Sequence, residues 1–340
     1  MKMEHNSSSF VHRLTALWAF SECALGGILH AFKFPFTGFF LGGFAVIMIG
    51  MIAFFSLRPS RDLLVSTLIV VLIKAAVNPH SPPMAYVAVG FQGLCGALLY
   101  SLIRNFSVAA VVVGALSLAE SALQKVLVTT LIFGKSFWQA VNVAGGDLVK
   151  WMNLPADLSP SEYIIWMFTL VYTLWGIVLG RWLGRLPMKL EKEQESILQE
   201  FDKLPADHPL SPGERRGSPF GKWMIWAFML TFILITFLFS GDSNNGIGIW
   251  YLVIRTVTAL FVLYFILPWL IRYVLKYVMM KRSAHFLDRL QSIQDTWPQL
   301  GILVKPAYRI ARMHAGGLKR YSEFVFVLIV LGLYRQPDKA

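Results

Sequence analysis

Charged side chains interrupt the long apolar runs of this sequence. Glu22, Lys74, Glu120 and Lys125 each lie within such a run. An ionisable group at the middle of a bilayer costs at least ~2.5 kcal/mol on insertion scales, so each of them is a candidate for function. These groups can bind a polar compound through hydrogen bonds and ion pairs. They can equally pair with one another and hold helices together, and the sequence leaves both interpretations open.

Amides and imidazoles accompany these charges along the chain. A rise of ~1.5 Å per helical residue places most of them between the middle and one end of their runs. A few convergent polar groups within an apolar, aromatic wall are typical of a ligand pocket. The residues that we predict to bind a substrate are His30, Lys74, Asn78, His80, Gln92, Glu120, Gln124, Lys125 and Asn142. The two histidines can instead anchor helix ends at the membrane interface.

The composition indicates that lipid surrounds most of the chain. Of its 340 residues, 56% are hydrophobic and 15% are charged, against ~25% charged residues in an ordinary soluble domain. These values exclude a disordered chain, a collagen-like chain and a secreted module held by disulfides. The two cysteines, Cys23 and Cys95, lie within apolar runs and are typical of neither a disulfide nor a zinc site.

Runs of ~20 mainly apolar residues predict membrane helices. The predicted spans are residues 13–31, 37–56, 62–77, 84–104, 107–133, 161–184, 221–240 and 248–276. A last apolar run, Phe324–Tyr334, is short for a full crossing. It can be tilted, half-inserted, or a ninth span that begins near Leu318. We expect an all-α polytopic membrane protein with a six-helix bundle, followed by a C-terminal unit of two to three membrane helices and cytoplasmic amphipathic helices.

The distribution of basic residues predicts the orientation of these helices. Lysines and arginines are concentrated in alternate loops, and the positive-inside rule places those loops and the N-terminus in the cytoplasm. We expect a multi-pass protein of the plasma (inner) membrane without a cleavable signal peptide. The net charge of +12 does not indicate nucleic acid as a partner, because the basic residues flank apolar runs.

Shifts in composition divide the chain into three parts. Residues 1–186 form a six-span membrane domain. Residues 187–219 form a cytoplasmic amphipathic helix and linker, and residues 220–340 form a C-terminal membrane unit. Within the last part, residues 282–315 are amphipathic, and Pro298 and Pro306 predict a break into two short helices on the cytoplasmic membrane face. These helices either anchor the chain at the interface or contact a partner.

No group of residues in the sequence predicts catalysis. The chain contains no HExxH, GxSxG, P-loop or GxGxxG motif. The Gly145-Gly146 and Gly316-Gly317 pairs lack the flanking strand and helix that phosphate binding needs. We therefore expect no enzyme activity and no cofactor, and any ATP-driven process would need a separate ATPase.

Three stretches carry a family resemblance. They are Thr15-Ala16-Leu17-Trp18-Ala19, which opens the first span, the turn Pro35-Phe36-Thr37-Gly38 into a Gly-rich second span, and the stretch from Lys74 through Gln92 to Gly96. With these features the first 186 residues resemble the S component of energy-coupling-factor (ECF) vitamin transporters. In that family, small residues on the first span contact the coupling subunit, and Thr15, Ala19 and Cys23 match that role here.

The resemblance implies an uptake system for a small organic compound such as a vitamin or its precursor. The compound binds near the outer ends of the spans, and ATP hydrolysis in partner subunits drives its release. The C-terminal third resembles the coupling subunit of the same system, and Arg312, in Ala311-Arg312-Met313, matches a partner-contact position. The alternative is a membrane scaffold or assembly protein that has no small-molecule substrate and whose charges pair internally.

Overall fold

A computed structural model describes most of the chain. The described residues are 2–31, 36–78, 81–151, 159–204, 284–317 and 319–335, together with 254, 256–258, 260–266, 269–270 and 273. These residues form helices and turns and contain no strand, which confirms the all-α prediction for this part of the chain. The predicted span 221–240 and most of the predicted span 248–276 lie outside the described residues.

Eight α-helices and a π-helical turn at Val262–Ile266 have both of their ends within the described residues. The helices are α1 (Lys2–Ala31), α2 (Thr37–Phe55), α3 (Pro59–Val77), α4 (Pro83–Leu102), α5 (Phe106–Trp151), α6 (Pro160–Lys203), α7 (Ala284–His314) and α8 (Lys319–Tyr334). Four stretches are long and apolar enough to cross a membrane: Thr37–Phe55, Pro83–Leu102, Phe106–Gly146 and Pro160–Lys203. The chain is therefore a helical protein with several apolar helices suited to a membrane.

Glycines allow α5 and α6 to approach each other closely. A Cβ atom on Gly114 or Gly176 would collide with the backbone of the other glycine. A Cβ atom on Gly180 would lie 2.5 Å from the Ala110 carbonyl oxygen, and one on Gly184 would lie 2.9 Å from Ser107 Oγ. The spacing of Gly180 and Gly184 predicts such a contact, because small residues let helix backbones meet.

Helix α5 consists of two helical segments that meet at a kink. The predicted end of the span at residue 133 agrees with the end of the first segment, but the prediction that Trp138, Asn142 and Asp147 lie in a loop was wrong, because they lie in the second helical segment. The chain kinks at Gly134, which has a φ of 76°, and then continues as a helix to Trp151. Glycine adopts a positive φ at little cost, so Gly134 joins the two helical segments directly, with no loop between them.

The amphipathic stretch in the C-terminal part forms one helix. The prediction of two short helices was wrong, because α7 passes through both Pro298 and Pro306. One face of α7 stays buried across the two prolines, with Ile293, Leu300, Leu303, Ala307 and Ile310 all at most 3% exposed. A proline inside a helix costs ~3 kcal/mol, and this packing offsets that cost.

The last apolar run is enclosed by protein. Helix α8 has 16 residues, a length of roughly 24 Å, which is shorter than the ~30 Å hydrocarbon core of a bilayer. Its residues from Phe326 to Leu333 are all buried. They pack against α7, α6 and the first half of α1, where Arg13 donates a hydrogen bond of 2.6 Å to the Leu333 carbonyl oxygen. Helix α6 reaches this region because it continues through Pro187 to Lys203.

Candidate functional site

A buried ion pair joins α1 to α3. Lys74 Nζ lies 2.6 Å from Glu22 Oε2, and the two side chains are only 2% and 4% exposed. Each charge therefore has an opposite charge and a hydrogen bond, which reduces the cost of burying it. Of the two interpretations that the sequence left open, internal pairing is what the structure has for Lys74.

Asn78 and Tyr86 extend this pair to a third helix. Asn78 Nδ2 donates a hydrogen bond of 2.8 Å to the Cys23 carbonyl oxygen, and Tyr86 Oη donates one of 3.0 Å to the Asn78 carbonyl oxygen. The Lys74 ammonium lies 6.0 Å from the centre of the Tyr86 ring. We call Glu22, Lys74, Asn78 and Tyr86 the paired network. It connects α1, α3 and α4 near the predicted outer end of the bundle.

The small-residue ridge of α1 lies inside this same interface. Thr15, Ala19 and Cys23 are all at most 2% exposed. The Thr15 hydroxyl lies 2.7 Å from the Ser66 hydroxyl of α3, and the Cys23 backbone binds Asn78. The residues predicted to contact a coupling subunit are thus buried within this chain, whereas Arg312 on α7 is exposed.

A second polar region runs along one face of α5. Ser117, Glu120, Ser121 and Gln124 are spaced i, i+3, i+4 and i+7, so they share a face of the helix. We call these four residues the polar stripe. Ser121 Oγ donates to the Ser117 carbonyl oxygen at 3.1 Å, and Gln124 Nε2 donates to the Met84 carbonyl oxygen of α4 at 2.9 Å. The polar stripe therefore lies along the α4–α5 contact.

Helix α2 contributes a glycine where α4 and α5 meet. A Cβ atom on Gly42 would lie 3.1 Å from Gln92 Nε2 of α4 and 3.5 Å from Ser121 Oγ of α5. Both side chains are buried, with Gln92 2% exposed. Two polar groups from different helices thus pack closely against Gly42, and a side chain there would have to displace its neighbours.

Two polar atoms of the stripe have no hydrogen-bond partner. Ser117 Oγ and Glu120 Oε2 are both buried, and the described part of the chain offers neither of them a partner. A buried polar atom without a partner costs ~1–3 kcal/mol. Such a cost is typical of a site that binds a polar molecule, because the ligand then completes the hydrogen bonds.

Aromatic rings lie beside the polar stripe. Leu118 and Ala122 of α5 pack in one apolar cluster with Phe39 of α2 and with Phe168, Tyr172 and Trp175 of α6. The rings of Phe39 and Trp175 are stacked, with centroids 4.9 Å apart, and Tyr172 lies 4.6 Å from Phe168. We call the four rings the aromatic cluster. We call the polar stripe the candidate site; the aromatic cluster adjoins it beside Ser117 and Ser121, on the opposite side of α5 from Glu120.

The remaining predicted site residues are distributed around the bundle. Lys125 lies on the exposed side of α5, with its ammonium 6.0 Å from the centre of the Phe168 ring. Asn142 Oδ1 accepts a hydrogen bond of 2.8 Å from the Ser161 backbone N–H and so caps the start of α6. The His30 side chain and the whole of His80 lie outside the described residues.

Ser117 and Ser121 are members of the candidate site that sequence reasoning missed. Serine is common in apolar helices, where its hydroxyl bonds to the carbonyl oxygen four residues earlier. Their helical spacing with Glu120 and Gln124 is the pattern that could have identified them.

The comparisons with known proteins add no relative: no family model, no curated protein and no solved structure matches the chain.

Proposed function

We propose that this chain is the substrate-binding membrane subunit of an ATP-driven uptake transporter of the ECF type, for a small organic compound such as a vitamin or precursor. In this proposal α1 to α6 are six spans in the plasma (inner) membrane, and the N-terminus lies in the cytoplasm. The proposal is carried by one observation. The polar stripe holds two buried polar atoms that have no partner within the described residues, and its Ser121 lies near Gln92 at the predicted outer half of the bundle.

The paired network supports a proposal in which one side of the bundle is structural and the other side binds the substrate. Glu22 and Lys74 satisfy each other at 2.6 Å, so the α1–α3 side of the bundle is a fixed wall. The binding residues then lie on the other side, along α4 and α5, and consist of Gln92, Ser117, Glu120 and Ser121. A ligand pocket needs such a rigid frame, because its polar groups must be held in place before the ligand arrives.

The C-terminal helices support a coupling role for the last part of the chain. Two ion pairs and a hydrogen bond join the extension of α6 to this part. The ion pairs are Lys189 with Glu323 and Asp202 with Arg335, both at 2.6 Å, and the hydrogen bond joins His314 Nε2 and Glu200 Oε2 at 2.7 Å. Helix α6 also packs against α5 along its glycines. A movement at the candidate site therefore has a continuous packed route to α7, where Arg312 is accessible to a coupling or ATPase subunit.

A specific observation favours a second candidate function, that of a membrane scaffold or assembly protein. Lys74, Asn78, Gln124 and Asn142 all bind other groups of this chain. In a scaffold the polar residues serve only to fix the helices. The two functions differ at the polar stripe, because a scaffold gains nothing from the partnerless oxygen of Glu120.

Mass spectrometry of the purified full chain tests the proposal. We expect a small organic compound to co-purify with the wild-type protein, to raise its Tm when added back, and to be absent from Glu120→Gln. The matched control is Glu195→Gln, which changes an exposed carboxylate on the extension of α6. Empty wild-type preparations that respond to no vitamin, together with a pull-down that recovers one membrane complex and no ATPase, would favour the scaffold.

A further inference from the structure

The exposed face of α7 combines basic and apolar side chains. We propose that this face binds the anionic phospholipid headgroups of the cytoplasmic leaflet. The proposal concerns a different part of the chain from the candidate site. It rests on the proposed function only for the orientation of the bundle, with the extension of α6 in the cytoplasm.

Burial divides the last turns of α7 into two faces. Leu303, Ala307 and Ile310 are at most 3% exposed and belong to the main apolar core. Lys305 and Arg312 are exposed and lie on the opposite side of the helix. Because the buried face is packed against the rest of the chain, the exposed face has a fixed direction and points away from the bundle.

The sequence around this face is basic and contains no carboxylate. Residues 300–322 have no aspartate or glutamate. Their basic residues are Lys305, Arg309, Arg312, Lys319 and Arg320. The carboxylates of Glu323 and Glu200 lie at this end of α7, and both already have a partner, at 2.6 Å in Lys189 and at 2.7 Å in His314. The local charge is therefore positive, and an anionic surface complements it.

Apolar and aromatic side chains accompany these charges. Ile302, Tyr308 and Met313 of α7 are 46%, 45% and 63% exposed, and Tyr321 at the start of α8 is 67% exposed. A helix at a bilayer surface buries such groups among the acyl chains and keeps its lysines and arginines at the headgroups. The combination favours a lipid over a free anion, which would leave the apolar groups in water.

The neighbours of α7 place this face at the membrane boundary. A Cβ atom on Gly301 would lie 4.0 Å from the Phe20 ring of α1. Phe20 is about seven residues inside the predicted span 13–31, which is roughly 10 Å. His314, roughly 20 Å further along α7, bonds to Glu200 on the predicted cytoplasmic extension of α6. The basic residues between these two points therefore lie at the level of the headgroups.

Short-chain lipids test the proposal on the full chain in detergent. Native mass spectrometry measures the binding of dioctanoyl phosphatidylglycerol, dioctanoyl phosphatidylcholine and glycerol phosphate. These probes supply an anionic lipid, a zwitterionic lipid and an anion without acyl chains. We expect phosphatidylglycerol to bind about tenfold more tightly than phosphatidylcholine, and glycerol phosphate not to bind. Equal binding of the two lipids would overturn the proposal, and so would glycerol phosphate that binds as tightly as phosphatidylglycerol.

Variants of two basic residues locate the effect. A lysine or arginine near an anionic lipid surface contributes ~1 kcal/mol. Arg312→Gln or Lys319→Gln should therefore weaken phosphatidylglycerol binding about fivefold, and the two together about 25-fold. Binding of phosphatidylcholine should not change.

Two controls accompany these variants. Lys135→Gln removes an exposed lysine at the predicted outer end of the bundle and should bind both lipids as wild type does. Arg312→Lys with Lys319→Arg retains both charges and should keep the preference for phosphatidylglycerol. If the double glutamine variant binds phosphatidylglycerol as tightly as wild type, α7 is not the lipid site and the proposal is wrong.

The lipid proposal and the transporter proposal can fail separately. If the preference for phosphatidylglycerol depends on Arg312 and Lys319 while purified protein stays empty and recovers no ATPase, the lipid site stands and the transporter proposal is wrong. If a compound co-purifies while the double glutamine variant keeps wild-type lipid binding, the reverse holds. A protein partner that is lost from this variant at unchanged lipid binding would assign the face to that partner and overturn the lipid proposal.

Discussion

The paired network and the polar stripe lie in the same bundle and have opposite electrostatic states. In the paired network, Lys74 and Glu22 are buried and 2.6 Å apart. In the polar stripe, Glu120 is partly buried, and its Oε2 atom has no partner in the described residues. Both regions contain a carboxylate inside an apolar run, so the amino-acid type does not distinguish them. The difference lies in what the neighbouring helix provides.

This difference distinguishes residues that hold the helices together from residues that bind a ligand. A charge that has its counter-charge within the fold stabilises one arrangement of helices, and its removal harms the fold. A polar group that the fold leaves unsatisfied lowers the stability, and natural proteins keep such groups mainly where a function needs them. Substitutions of the paired Lys74 and of the unpartnered Glu120 should therefore change the free energy of unfolding in opposite directions.

The largest effect is expected at Lys74. Lys74→Met leaves the Glu22 carboxylate buried without a counter-charge, and the loss of one partner of a buried pair costs ~3–5 kcal/mol. We expect the free energy of unfolding in detergent to fall by that amount. Chemical denaturation followed by circular dichroism measures it.

The matched control is the double variant Glu22→Met with Lys74→Met. It removes both charges and should recover most of the lost stability, since apolar residues of similar volume replace buried ion pairs without loss in other proteins. If the double variant is as unstable as Lys74→Met, the ion pair is not what holds α1 and α3 in register.

A stabilising effect is expected at Glu120. Glu120→Leu removes a buried oxygen to which the described part of the chain offers no partner, so the free energy of unfolding should rise by ~1–2 kcal/mol. Gln124→Leu, one turn further along the same stripe, loses the hydrogen bond to Met84 and should be destabilised by ~1 kcal/mol. A fall in stability for both variants would mean that Glu120 is as well satisfied as Gln124.

A smaller effect is expected at Asn142, which the sequence predicts as a binding residue. Its Oδ1 atom accepts the Ser161 N–H, while Ser159 and Glu162 form a capping box at the same helix end. Asn142→Ala should therefore cost ~1 kcal/mol of stability, in the range of a lost helix cap. Ligand binding should be unchanged. Loss of binding without loss of stability would show that Asn142 binds the ligand and that its main role is not to cap α6.

The helices of the first part could be predicted from the sequence, because apolar runs bounded by proline and charge are local features. The predicted run at 84–104 corresponds to α4 at Pro83–Leu102, and the run at 37–56 to α2 at Thr37–Phe55. The extension of α5 beyond Gly134 could not be predicted. A single glycine with a positive φ can begin a loop or join two helical segments directly, and which of the two occurs depends on how the following residues pack.

The pairing of polar groups is the part that the sequence could not determine. Lys74 is followed by Asn78 one turn later, and both residues looked suitable for a ligand. The structure shows that α1 supplies Glu22 and the Cys23 carbonyl oxygen to them. Which helix lies beside which depends on long-range packing, such as the glycine contacts of α5 and α6, and local spacing does not contain that information.

The smallest change in stability, and the sharpest test of the comparison, is expected at two glycines of α2. A Cβ atom on Gly42 would lie 3.0 Å from Leu118 Cδ2 and 3.1 Å from Gln92 Nε2, whereas one on Gly38 would meet Ser121 Cβ at an ordinary 3.7 Å. Gly42→Ala therefore places a methyl group between Gln92 and Ser121, and the flexible ends of Leu118 and Gln92 can shift by a few tenths of an ångström. We expect less than ~1 kcal/mol of change in stability for either variant.

Ligand binding should nevertheless separate them. Gly42→Ala should weaken the binding of the co-purified compound about tenfold, because the methyl group fills the space that Gln92 and Ser121 face. Gly38→Ala should bind as wild type does, and titration calorimetry on the two variants measures the difference. Equal binding by both would show that the space beside Gly42 is ordinary helix packing. The polar stripe would then serve only to pack the helices, as the paired network does, and the two regions would not differ in function.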